Sequence, residues 1–141
     1  MKISVYINEK RLNRNEQDAI AEYRKRLGSY CKTDLFLKFM QENALNDFLS
    51  RFHKEDTQLY FVNYGSGTLS SEDFADVINR HGLNGCSHLV FMIGYSLPTE
   101  IHPYTGLPIT TLTLSNGLCS VVLFEQIYRA YRILNNQPYH K

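Results

Sequence analysis

Several things are missing from this 141-residue sequence, and each absence removes a class of protein. Cysteine is sparse: Cys31, Cys86 and Cys119 are an odd number at wide spacing, which suits neither a disulfide framework nor a zinc site. All three are expected to be reduced, with Cys119 packed in a helix, and no metal is expected. No apolar run approaches the roughly 18 to 20 residues that span a bilayer. The N-terminus also lacks the basic-then-apolar pattern of a secretory leader, so a cytoplasmic protein with no membrane partner is expected. Net charge is nearly absent too, at a formal +1, which leaves no global basic footprint for nucleic acid. Any RNA contact must then be local, at Arg11 and Arg14, at Arg24, Lys25 and Arg26, or at Arg129 and Arg132. Charged helix faces of this kind are more often simply solvated. There are no internal repeats and no low-complexity tracts. No glycine-rich phosphate loop follows the first apolar segment, which argues against a flavodoxin-like or nucleotide-binding domain.

What is present describes one folded domain covering residues 1–141. A hydrophobic fraction of 43% with 21% charged residues is that of a globular chain. Residues 2 to 7 read as a strand of alternating β-branched and aromatic residues. Asn13 and Glu16 have capping-box spacing, and Ala19, Ile20, Tyr23 and Leu27 recur with helical period before Gly28. Leu35 to Phe39 reads as a second strand. Residues 41 to 53 read as a helix with Leu45, Phe48, Leu49 and Phe52 on one face. A strand from Leu59 to Val62 ends in Asn63-Tyr64-Gly65-Ser66-Gly67, and Ser70 with Asp73 opens another helix. Leu89 to Ile93 is a continuous apolar run ending at Gly94, the signature of a buried parallel strand.

From Tyr95 to Thr110 the sequence holds Pro98, Pro103, Pro108 and Gly106, which predicts a long loop. A short strand is expected at Thr111 to Leu114, then a final helix from Asn116 to Leu134. Alternating strands and helices predict an α/β fold, a mostly parallel sheet with helices on both faces. Ligands of such sheets bind beyond the carboxyl ends of the strands, here at the Gly65 and Gly94 loops and the turn after Leu114. The final helix is apolar around most of its circumference, so it is buried on more than one side. Either it is a central helix within one chain, or its second side meets another subunit across a two-fold axis. Glu125 and Arg129, four residues apart, interrupt that surface side by side.

The string Leu123-Phe124-Glu125-Gln126-Ile127-Tyr128-Arg129-Ala130-Tyr131-Arg132-Ile133, followed by Gln137-Pro138-Tyr139-His140-Lys141, resembles the RlmH family. These are SPOUT-class enzymes that methylate N3 of a pseudouridine in large-subunit ribosomal RNA. The likeness extends to Met1-Lys2-Ile3, to Ala21-Glu22-Tyr23-Arg24-Lys25-Arg26-Leu27 and to Gly67 through Ala75. It implies a deep C-terminal trefoil knot, an obligate homodimer through the last helix, and ribosomal RNA or the ribosome as partner. It also implies S-adenosyl-L-methionine in the knot loops, at Tyr64, Gly65, Ile93, Gly94, Tyr95, Leu114, Ser115, Asn116 and Leu118. Tyr139 and His140, with Arg129, become the catalytic candidates, reaching a site formed with the partner subunit.

Where the family carries a His-Gln-Leu-Val-Arg helix start, this chain has Asn116-Gly117-Leu118-Cys119-Ser120 after a shorter loop. Where the family has a Gly-Gly pair and a further glycine, it has Gly94-Tyr95-Ser96-Leu97-Pro98, so Tyr95 is expected to narrow the cofactor slot. A rival reading, a dimeric RNA- or ribosome-binding paralogue impaired in transfer, differs in one observable: binding of S-adenosylmethionine.

Overall fold

The computed structural model describes residues 1–52, 56–97 and 105–139. Its frame is a five-stranded parallel sheet in the order β2-β1-β4-β3-β5. The strands are β1 (Lys2–Ile7), β2 (Lys32–Leu37), β3 (Thr57–Val62), β4 (His88–Ile93) and β5 (Thr105–Leu107). Strand β1 lies between β2 and β4, with Ile3 opposite Thr33 on one side and Leu89 on the other. Its apolar alternation is thereby explained: Ile3, Val5 and Ile7 all point into one core and are fully buried. The uninterrupted run in β4 has a different cause, since both faces of that strand are covered and Leu89 to Met92 are completely buried.

Four α-helices cross between or follow the strands: α1 (Arg14–Leu27), α2 (Glu42–Leu49, continued by a 3-10 turn at Ser50–Phe52), α3 (Ser71–Leu83) and α4 (Asn116–Leu134). The start of α1 is fixed by its expected capping box, in which the Asn13 side chain accepts from the Glu16 amide at 2.8 Å and Glu16 accepts from the Asn13 amide at 3.1 Å. Ser70 and Asp73 form a second box at α3. Each satisfies amides that the first helical turn leaves without partners. Gly28 does end α1, though in an ordinary right-handed conformation with φ −57°, so its freedom at positive φ is not used there.

Helices α1, α3 and α4 share the core built on Val5, Leu89 and Phe91. Helix α2 alone covers the other face, where Leu45, Phe48 and Leu49 meet Leu59, Phe61, Val90 and Met92. Of the two alternatives for the apolar final helix, the central position is therefore occupied: α4 packs against both α1 and α3. A second stripe of α4 is left open. Leu118 is 47% exposed, and Val122, Gln126, Arg129 and Ile133 continue from it at helical spacing as half-exposed side chains.

Two expectations need correction. The stretch Thr111–Leu114 is not a strand, and the predicted loop contains one, β5, which pairs with β3 through Tyr60 opposite Thr105 and Val62 opposite Leu107. Gly106 makes this pairing possible, because a Cβ there would lie 2.4 Å from the Tyr64 carbonyl oxygen. Pro108 then offers no amide to continue the ladder. The β-branched stretch that follows takes its restraints from a side chain instead, the Thr110 amide donating to Asn63 at 3.3 Å. Elsewhere the boundaries shift by a few residues, β2 starting at Lys32. From β4 the chain reaches the sheet edge at β5 and doubles back across β3 into α4. Residues 98–104, on which the expected knot also depends, lie outside the described residues.

Candidate active site

Parallel strands aim all their carboxyl ends the same way, so the loops after β3 and β4 and the entry to α4 converge. Between them lies a cleft of about 350 Å³, lined by Val62, Asn63, Tyr64, Ile93, Gly94, the segment Thr110 to Leu114, Asn116 and Cys119. A larger groove of about 580 Å³, between Lys2, Tyr30, Cys31 and Cys86, opens at the amino ends of the strands. No connecting loop of the β-strand-to-helix kind meets there, so the smaller cleft is the better site.

Of the nine residues expected to hold a cofactor, Tyr64, Ile93, Gly94, Leu114 and Asn116 line this cleft. Ser115 acts behind it as the N-cap of α4, accepting from the Leu118 amide at 3.3 Å. Gly65, at φ +104°, shapes the turn against Pro108. Leu118 points away along the open stripe of α4. Tyr95 corrects an expectation: its side chain is buried on the opposite face with α2, its hydroxyl donating to the Lys38 carbonyl, so it does not narrow the slot.

The walls are fixed by side chains that the sequence reading passed over. Asn63, at φ +66°, donates from its main chain to the Leu107 carbonyl at 2.7 Å, accepts from Thr110 and donates to the Cys119 sulfur at 3.5 Å. One residue thus ties β5, the returning segment and α4 together. Asn8 does the same on the other side, donating to the Gly94 carbonyl at 3.0 Å and accepting from the Met40 amide at 2.9 Å. Glu9 holds the Asn116 amide at 3.1 Å, directly beneath Gly94. Gly94 sits at φ +82°, and a Cβ on it would lie 2.5 Å from that same Asn116 nitrogen. The only local signals for these residues were an Asn in a glycine-bearing loop and a polar pair just past a strand. Burial pushes the Cys119 thiol up to about 11, so the cleft floor is neutral.

At α4's start, the departures from the family pattern have a packing consequence. Gly117 is buried against the Glu16 carboxylate of α1, which a Cβ would meet at 2.2 Å, and Ser120 turns its hydroxyl onto the Gly117 carbonyl at 2.6 Å. Small residues let the two helix starts close on each other.

The catalytic candidates form a second group farther along α4. Glu125 accepts from Arg129 at 2.7 Å, from Gln126 at 2.7 Å and from the Tyr139 hydroxyl at 3.1 Å. The Arg129 guanidinium lies 4.8 Å from the centre of the Tyr139 ring, and Gln126 extends the network to Ser71 at 2.7 Å. Burial, then hydrogen bonding to Tyr23 and the negative charge of Glu125, pushes the Tyr139 phenol well above its ordinary range. The tail is docked rather than frayed, since Arg132 also holds the Pro138 carbonyl at 3.1 Å. His140 lies outside the described residues. Nine positions separate Asn116 from Glu125 on the helix, about 14 Å of axial rise, so within one chain the cleft and the tail are apart.

Comparison with known proteins identifies the class of this architecture. The family model described as "Predicted SPOUT methyltransferase" matches residues 1–140. The chain belongs to the SPOUT methyltransferases of the RlmH type. A Thermoanaerobacter sp. (strain X514) protein named ribosomal RNA large subunit methyltransferase H 1 is 33% identical over the full length of both chains. The namesake from Bifidobacterium adolescentis is 32% identical, again over all of both. The one from Clostridium beijerinckii is 32% identical over 89% of this chain and 90% of its own. Membership in the SPOUT methyltransferases brings with it S-adenosylmethionine as methyl donor. The residues present suit that donor, because a cleft of about 350 Å³ is within the usual span for small-molecule sites, about 300 to 1,000 Å³. Its glycine at positive φ also makes room for the Asn116 side chain, which brings a polar amide to the cleft wall. Among the described residues of this SPOUT methyltransferase, no cluster of His, Cys, Asp or Glu could hold a metal, and no helix is long and apolar enough to cross a membrane.

Proposed function

We propose that this single-domain chain methylates N3 of a uridine or pseudouridine in large-subunit ribosomal RNA, working as a homodimer. The observation that carries the reading is the cleft over Gly94, where Asn116 fills the space of a Cβ and main chain from two loops converges. Tyr64, Ile93, Gly94, Leu114 and Asn116 would hold S-adenosylmethionine, which supplies an electrophilic methyl group. Main-chain groups of Gly65, Tyr95 and Ser115 frame the same loops, and Leu118 stands on the dimer side.

A ring N3 becomes nucleophilic only when its imide proton is drawn away. The Tyr139 phenol, held protonated by its surroundings, suits a hydrogen-bond donor to the base rather than a resting proton acceptor, its one O–H turning from Glu125 to the base when substrate binds. The acceptor role then falls to His140, a residue type that titrates near neutral pH. Arg129 orients Tyr139 by stacking on its ring and binding the carboxylate that the phenol also uses. Because cleft and tail are about 14 Å apart along α4 of one chain, the tail of one subunit serves the cleft of the other. The open stripe from Leu118 to Ile133 is the face on which two subunits would pair.

Calorimetric titration with S-adenosylmethionine tests the reading, with binding in the micromolar range expected. No detectable heat at millimolar donor would refute the enzyme and leave the RNA-binding paralogue. Removing Tyr139 to Lys141 should abolish methyl transfer to large ribosomal subunits while sedimentation still shows a dimer. Unchanged transfer would refute the role of the tail.

A further inference from the structure

The cleft after β3 and β4 accounts for the donor, and the tail for the reacting atom, but neither grips an RNA chain. Beyond β4 the same rim continues past β1 to β2, and there the surface changes character. Phe36 is 40% exposed, Leu37 40% and Phe39 55%, three apolar side chains at the end of edge strand β2 and just beyond it, with Lys38 among them. Phe36 is stacked on Tyr6 with centroids 4.7 Å apart, and just past the strand the Lys10 ammonium lies 5.2 Å over the Phe39 ring.

Charge decides what such a surface receives. Segments 10–14 and 36–40 carry Lys10, Arg11, Arg14 and Lys38 and no acidic residue. Nearby carboxylates have partners: Asp34 the Lys2 ammonium at 3.1 Å, Asp18 the Arg14 guanidinium at 3.9 Å, and Glu9 the neutral Asn116 side-chain amide at 3.1 Å, which orients Glu9 toward the cleft without cancelling its charge. The other basic groups seen in the sequence do not serve this end of the sheet. Arg24 is spent on Thr33 at 2.8 Å, Arg26 on Glu22 at 3.0 Å, and Arg129 on Glu125. Exposed aromatic faces interleaved with cations are the recognition chemistry of single-stranded RNA, whose bases stack on rings while the phosphates track the charge.

We infer that Phe36, Phe39, Lys10, Arg11 and Lys38 form a docking platform for single-stranded nucleotides flanking the methylated base. The inference rests on the proposed reaction and adds to it where the substrate lies. The platform is joined to the donor cleft by one side chain, Asn8, which binds the Gly94 carbonyl of the cleft and the Met40 amide next to Phe39. Two strand spacings, about 10 Å, separate β4 from β2, so neighbouring nucleotides of one strand can occupy both places.

The test uses the full chain and its Phe39→Ala and Lys10→Glu/Lys38→Glu variants. Transfer from labelled S-adenosylmethionine to bacterial large ribosomal subunits gives KM, and fluorescence anisotropy with a labelled poly(U) oligonucleotide gives RNA affinity. Phe39→Ala should weaken poly(U) binding and raise KM for subunits by about tenfold. The charge reversal should also flatten the salt dependence of binding. Calorimetric affinity for S-adenosylmethionine should stay within about twofold in both variants, as neither position lines the cleft. Unchanged KM and poly(U) affinity beside an active wild type would overturn the platform and leave the enzyme reading intact. A parallel loss of donor affinity would overturn it as well, by showing a general disturbance of the rim. A change in sedimentation for Phe39→Ala would mean that a second copy of the chain covers this face, which also overturns it. A wild type that transfers no methyl group overturns the reaction and the platform together.

Discussion

Gly94 concentrates the demands of the site on one backbone position. It needs a positive φ, +82°, and it needs no side chain, because the Asn116 amide held by Glu9 already stands 2.5 Å from where a Cβ would be. Gly94→Ala should therefore reduce affinity for S-adenosylmethionine by at least about tenfold and lower stability by about 1 to 3 kcal/mol, read by calorimetry and thermal unfolding. An unaltered affinity would show that the main chain there is not approached by the donor. At this scale the sequence was legible where the signal is local. Asn13 with Glu16 and Ser70 with Asp73 form their caps within one helical turn, so spacing alone revealed them. Asn8, Glu9 and Asn63 were not legible, because their partners Gly94, Asn116 and Cys119 lie 86, 107 and 56 positions away in sequence. Nothing in the neighbourhood of an asparagine announces a bond of that range.

Among the elements, β5 shows how a short strand escapes pattern reading. Three residues beside a proline carry too little alternation to register, and the pairing of Thr105–Leu107 is decided by its neighbour β3. The stretch Thr111–Leu114 has the composition of a strand but pairs with none of the described strands and lines the cleft instead, so composition misled. Helix α4, by contrast, was readable in extent and in kind, since its apolar circumference already required two buried sides. The structure fills one with α1, α3 and the sheet and leaves the stripe at Leu118, Val122 and Ile133. Leu118→Glu should convert the proposed dimer to monomer in sedimentation at micromolar concentration, with loss of methyl transfer by about a hundredfold or more if, as proposed, the tail crosses to the other cleft. The fold of each monomer should be kept, because Leu118 contributes little to the monomer core. A dimer that persists would place the interface elsewhere.

For the molecule as a whole, the buried thiols and phenols point in one direction, while burial lowers the His81 imidazole. Burial raises Cys119 from 9.0 to about 11, and it also raises Cys31 and the phenols of Tyr60, Tyr95 and Tyr131. A raised value means that the folded state keeps a proton which the unfolded chain gives up earlier. The stabilisation is complete below the ordinary value and is lost as pH rises through the folded one. Resistance to urea should thus be flat from neutral pH up to about pH 9 and fall steadily toward pH 11, the Cys119 window. A midpoint constant across that window would show that these groups are solvated in the native state.

The strand order carries a consequence for how the chain comes into being. β1 is made before the other strands yet occupies an interior place in the sheet, and Ile3 meets Leu89 only after 86 further residues have been joined. At a ribosome adding about 5 to 20 residues per second, that is a wait of about 4 to 17 seconds during which this interior strand has one flank at most. The chain of a ribosome-modifying enzyme thus spends its first moments with an incomplete sheet beside the kind of particle it is proposed to modify.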